Sequence, residues 1–139
     1  MGNTQSMRKI NYEDMQTVIK KSESYLIINT LPITDQQCLI INTTMPNDEE
    51  AIINKFIKEN KSIRIIIYGR NCNDDTIDKK YQQLYSLGFY NIFVYLGGMF
   101  EWLMLQDIYG KELFPTTKKE LDLLKYKSNQ LLSIGLLEY

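Results

Sequence analysis

The sequence predicts an α/β fold, a single domain with a largely parallel central sheet flanked by helices, and three observations carry the prediction. Tyr25 to Asn29, Ile63 to Tyr68 and Asn91 to Leu96 are short, apolar-rich runs of strand length, as expected of strands covered on both faces. Between them lie segments whose apolar residues recur at helical spacing, so strand and helix alternate along the chain. The 139 residues hold no internal repeat, low-complexity tract or dividing linker, and this length is enough for one core.

Taken in order, Asn11 is placed to cap a helix running to about Lys21, with Asp14 favoured near its positive end. Tyr25 to Asn29 is a buried strand, and Cys38 to Asn42 repeats its pattern. A turn around Pro46 leads into a helix whose first turn carries Asp48, Glu49 and Glu50 and whose apolar face is Ile52, Ile53, Phe56 and Ile57. Ile63 to Tyr68 reads as the central strand. Gly69 to Asp75 is a polar loop, after which Thr76 is placed to cap a helix carrying Ile77, Tyr81, Leu84 and Tyr85 and stopped by Gly88. The strand at Asn91 to Leu96 turns through Gly97-Gly98 into a helix with Met99, Trp102, Leu103 and Leu105, ended by Gly110. Thr117 to Glu120 has the form of a capping box, which predicts a last helix through Leu121 and Leu124 toward Tyr126. The expected sheet has five strands or a similar number. The division expected is a flexible arm over 1–9, the domain over 10–112, and a helix with an apolar tail over 113–139.

Composition excludes several chemistries. The 16 basic and 17 acidic residues leave a formal charge of −1, which gives no pull toward nucleic acid. There is no histidine, so His-dependent nucleophile systems and His-ligated zinc are absent. Two cysteines, Cys38 and Cys72, cannot complete a structural zinc site, and the sequence implies no metal and no cofactor. No signal-peptide pattern opens the chain, and its apolar runs fall far short of the ~20 residues that span a bilayer. The expectation is a cytoplasmic protein with free thiols. Cys38, in an apolar run, reads as core; Trp102 and its helical neighbours do too.

From about Ile10 to Gly110 the chain resembles the rhodanese-like (sulfurtransferase) domain. Its most specific stretch is Leu87-Gly88-Phe89-Tyr90-Asn91-Ile92, then Tyr95-Leu96-Gly97-Gly98, then Trp102. Ile27-Ile28-Asn29-Thr30 is similar to the family's early strand and its Asp-x-Arg element, altered here to Asn29 and Leu31. The whole chain is similar, more faintly, to divergent versions in large DNA viruses of protists. The resemblance implies a sulfur-accepting cysteine directly after the central strand, where a loop at a helix N-terminus aims N–H groups at one point and stabilises an anion. This chain has Gly69 at that position, with Cys72 three residues on. Asp74 and Asp75 place negative charge in the loop and would repel an anionic donor, against the single positive charge of Arg70. Related phosphatases need an arginine six residues after the cysteine; Asp78 and Thr44 stand there instead, after Cys72 and Cys38.

Cys72 is therefore the candidate catalytic residue, and Gly69, Arg70, Asn71, Asn73, Asp74, Asp75 and Thr76 are candidate binding residues of the loop, whose polarity turn formation and capping explain equally well. Met1-Gly2-Asn3-Thr4-Gln5-Ser6 matches the N-myristoylation pattern at Gly2. One such chain holds a membrane only marginally, so Arg8 and Lys9, with Lys20 and Lys21, would supply the second signal in a eukaryotic host cell. The apolar segment from Leu131 is expected to pack on the domain or to form a homodimer contact. Three readings remain: a non-catalytic binding or structural module for a protein partner, a thiosulfate or persulfide sulfurtransferase using Cys72, and a membrane-tethered adaptor overlapping with the first.

Overall fold

The structure is a computed structural model and describes residues 7–132. Four strands form one wholly parallel sheet: β1 (Arg8–Ile10), β2 (Tyr25–Asn29), β3 (Arg64–Tyr68) and β4 (Ile92–Tyr95), in the order β1-β4-β3-β2. Helices α1 (Tyr12–Lys20), α2 (Pro46–Glu59), α3 (Thr76–Ser86) and α4 (Gly98–Tyr109) follow the strands in alternation. From β1 the chain crosses to the far edge at β2 and then steps back through β3 to β4. Because parallel crossovers keep one hand, this reversal puts α1 on one face and α2 and α3 on the other.

Two apolar layers result. Met15, Val18 and Ile19 of α1 and Met99, Trp102 and Leu103 of α4 pack on Ile27, Ile66, Tyr68 and Tyr95. On the opposite face Ile53, Ile77 and Leu84 pack on Leu26, Ile28, Ile65, Ile67, Ile92 and Val94. Alternate residues of each strand thus serve both layers, which explains why the central strands carry almost no polar residues.

Local signals account for the ends of the elements. Asn11 caps α1 by accepting from Asp14 N–H at 2.9 Å, and the Asp14 carboxylate accepts from Asn11 N–H at 3.2 Å. Pro46 is the first residue of α2, two residues earlier than its acidic turn suggests, because proline suits a position whose N–H has no helical partner.

Three expectations need correction. Arg8 and Lys9 belong to β1, since the parallel edge of β4 offers them hydrogen-bond partners that no local pattern reveals. Cys38 to Asn42 is not a strand. It is a buried turn with one antiparallel bridge, Ile40 to Thr116, and Asn42 at φ 69° bends it away. Tyr68 holds this turn, its hydroxyl accepting from Ile40 N–H at 3.1 Å and bonding the Thr43 hydroxyl at 2.7 Å. The segment after Thr117 forms only a 3-10 turn, Leu123–Tyr126, leaving Leu121 and Leu124 exposed. Thr117 is drawn out of a capping role because its hydroxyl accepts from Leu39 N–H at 3.1 Å and donates to Gln37 O at 3.2 Å. The sheet of the described residues has four strands, close to the five or similar number expected. The acylation motif at Gly2 and most of the apolar tail lie outside the described residues; Leu131 and Leu132, at the start of that tail, are exposed.

Candidate functional site

The loop between β3 and α3 lies at the carboxyl ends of the strands, where a parallel sheet presents its ligand sites. It is held from below by α4. Gly69 O accepts from Met99 N–H at 2.9 Å and Arg70 O from Phe100 N–H at 2.8 Å, so two first-turn donors of α4 are satisfied by the loop backbone. This contact requires glycine at Gly98, which sits at φ +65° and whose Cβ would stand 2.6 Å from Gly69 O.

Inside the loop, the Asp74 carboxylate turns back toward the chain's exit from β3. One oxygen accepts from Arg70 N–H at 2.9 Å; the other accepts from Thr76 N–H at 3.0 Å and from the Thr76 hydroxyl at 2.6 Å. The Thr76 and Thr30 hydroxyls are hydrogen-bonded at 2.8 Å. Two backbone donors that the loop would offer an external anion, the N–H groups of Arg70 and Thr76, are thus taken by its own side chain. Asp75 stands at the N-cap position of α3 without a side-chain cap bond, the Asp74 carboxylate supplies the capping acceptor for Thr76 N–H from one residue earlier, and Thr76 is the first helical residue, not the capping one. Gly69 is buried beneath, and a Cβ there would lie 2.5 Å from the Asp74 carboxylate and 2.7 Å from the Thr30 hydroxyl oxygen.

The C-terminal segment straps the loop from outside. Arg70 donates through Nη2 to Lys125 O at 2.9 Å, the buried Asn71 donates through Nδ2 to Tyr126 O at 2.8 Å, and Asn73 donates to the Ser128 hydroxyl at 3.1 Å. Asn71 also makes the turn expected of it, its Oδ1 accepting from Asn73 N–H at 2.8 Å. Tyr126 is fully buried and anchors the strap, and burial pushes its phenol well above the usual tyrosine range. The guanidinium of Arg70 is therefore directed at the strap.

A cleft of about 390 Å³ beside the loop is lined by Thr30, Arg70, Asn71, Asn73, Asp74, Asp75 and Thr76, together with Pro32, Lys127 and Asn129. Cys72 is not among them. It is exposed and borders a separate depression of about 410 Å³ with Lys9, Ile10, Asn11, Leu96, Gly97 and Glu101. Glu101 is hydrogen-bonded to the Tyr95 hydroxyl at 2.6 Å, and burial followed by that carboxylate drives the phenol's pKa up. Cys38 is buried, its thiol donating to Lys118 O at 3.2 Å and its pKa raised chiefly by burial.

The model of the rhodanese-like domain matches residues 33–105, more than half of the chain. The chain belongs to the rhodanese-like domain family. Among solved structures, the Alr3790 protein of Anabaena sp. is similar at 18% identity and a TM-score of 0.56, over 84% of this chain and 86% of that one. The rhodanese-like domain of Alr3790, solved by solution NMR, is 17% identical with a TM-score of 0.52, over 89% and 93%. The BH2092 protein of Bacillus halodurans is 18% identical with a TM-score of 0.55, over 71% and 73%. These likenesses concern the fold. No curated protein matches the chain.

In this rhodanese-like domain, Asn29 stands buried at the end of β2. Its Oδ1 accepts from Leu31 N–H at 2.9 Å and from Gln36 Nε2 at 2.7 Å, a network closed within the turn. Thr30 and Tyr126 are parts of the site that the sequence did not single out. The Asp-x-Thr spacing before a helical pattern was a readable signal for the Asp74 cap; nothing in the sequence tied Tyr126 to the loop.

Proposed function

We propose that the protein is a non-catalytic rhodanese-like module, a binding or structural element tethered to a membrane through a myristoyl group on Gly2. The observation that carries the non-catalytic reading is the Asp74 carboxylate, which takes the N–H groups of Arg70 and Thr76 at 2.9 and 3.0 Å. It lies against Gly69, the position at which the family resemblance puts the sulfur-accepting cysteine. A persulfide needs such donors and a positive setting. Here the N–H groups of Arg70 and Thr76 serve Asp74, whose negative charge sits in the loop, and the Arg70 side chain donates to Lys125 O. The tether rests on the Met-Gly-x-x-x-Ser opening.

The alternative, sulfur transfer at Cys72, has the exposure of that thiol in its favour. Incubation of the purified chain with thiosulfate, followed by intact-mass measurement, separates the two. The non-catalytic reading predicts no added sulfur on the wild type. One sulfur atom gained by the wild type and absent from Cys72→Ser would overturn it.

A further inference from the structure

We propose that the end of the domain at which the strands begin is a docking surface for an anionic lipid bilayer, so that the loop end faces away from the membrane. In a wholly parallel sheet every strand starts, and every following helix finishes, at one end of the molecule. That end collects Arg8, Lys20, Lys21, Lys58, Lys61, Arg64 and Lys111, all exposed, against Glu23, Glu59, Asp107 and Glu112. The opposite end carries Asp14, Asp48, Asp74, Asp75 and Glu101 beside Arg70, Lys79, Lys80 and Lys127. The near-zero formal charge of the chain thus covers an excess of exposed base at the end where the strands begin. The helix dipole accounts for bases such as Lys20 and Lys58 in last turns, but Arg8 and Arg64 open strands and Lys61 lies in a connection. Among the described residues, none of these seven bases forms an ion pair.

Exposed apolar groups stand among these charges. Tyr90 is 58% exposed, and its carbonyl accepts from Arg8 Nη2 at 2.8 Å; Tyr109 and Ile108, at the end of α4, are each 62% exposed. The Lys61 side chain lies beside Gly88. Tyrosines beside lysines and arginines suit the headgroup level of a bilayer, where the ring meets apolar surface and the hydroxyl and charges stay wet. The chain outside the structure argues for the same occupant. Residues 1–6 join the domain at Met7, directly before β1, so an acyl group on Gly2 is tied to this end. The inference rests on the tethered reading for its physiological use, since a single acyl chain binds marginally and this basic face would supply the second signal.

The test uses the full chain, unmodified and acylated, in co-sedimentation with vesicles of phosphatidylcholine alone and of phosphatidylcholine with phosphatidylserine. Each lysine near an anionic surface is worth about fivefold in binding, so Lys20→Gln with Lys21→Gln should weaken binding on the order of 20-fold. Lys79→Gln with Lys127→Gln, at the loop end, removes the same charge and should change binding by less than about twofold. No binding of the wild type to the anionic vesicles, equal binding to both vesicle types, or equal losses in the two double variants would each overturn the proposal. The mass of the chain made in eukaryotic cells reports acylation separately: a missing acyl group, with Gly2→Ala as reference, refutes the tether and leaves the basic face to be judged by the double variants.

Discussion

Asp74→Ala removes the group that closes the loop, and its cost can be worked from three hydrogen bonds. The carboxylate accepts from Arg70 N–H at 2.9 Å, Thr76 N–H at 3.0 Å and the Thr76 hydroxyl at 2.6 Å. Loss of a helix cap costs about 1 kcal/mol, and a hydrogen bond to a charged acceptor about 1.5–3 kcal/mol. Water reaches the half-exposed site and recovers part of this, so the net loss should be about 2–3 kcal/mol, or roughly 10 °C in Tm for a domain of this size. Asp74→Asn, which keeps one acceptor oxygen, should lose about half as much. The vacated donors also make the variant anion-sensitive. Sulfate at ten times its Kd should return about 1.4 kcal/mol to Asp74→Ala and almost nothing to the wild type. Thermal denaturation of the three proteins with and without sulfate measures all of this. Unchanged Tm in Asp74→Ala, or equal stabilisation of wild type and variant by sulfate, would refute the reasoning.

Gly98→Ala should lose about 2–5 kcal/mol by denaturant titration, since a Cβ 2.6 Å from Gly69 O at φ +65° adds a backbone clash to an unfavourable conformation. Native protein should expose one rapidly reacting thiol to a disulfide reagent, Cys72, and a second only on unfolding, because Cys38 is buried with its pKa raised mainly by that burial. Glu120 is held below the usual carboxylate range by Asp122 N–H and then by Lys125, so it contributes stability above its unfolded value that is lost as the pH falls through its lower folded value. Glu120→Gln should accordingly be less stable than wild type at neutral pH, by under about 1 kcal/mol, and match it once the pH lies below that lowered folded value.

The sheet was legible where burial on both faces removes polar residues, as in Ile65 to Tyr68, and where caps are local, as at Asn11. Cys38 to Asn42 misled because a turn buried against Tyr68 is as apolar as a buried strand, and periodicity does not distinguish them. β1 was illegible for the opposite reason: Arg8 and Lys9 lie exposed on an edge, and the backbone of β4 alone makes them a strand. At the site, the loop from Gly69 to Thr76 could be delimited from polarity, and the altered position of Gly69 was visible. What the loop does with its donors depends on where Asp74 turns and on a strap some 55 residues away, such as the Asn71 bond to Tyr126 O. Contacts that distant leave no pattern in a single sequence.

The central claim is that the Arg70 and Thr76 N–H donors of the loop are already occupied by Asp74, and backbone amide NMR reads those donors one by one. In a thiosulfate titration, the account predicts that the Arg70 and Thr76 amide signals of the wild type stay in place while those of Asp74→Ala move to saturation. Saturable movement of both signals in the wild type would mean that the loop accepts an external anion with Asp74 in position, and would contradict the account.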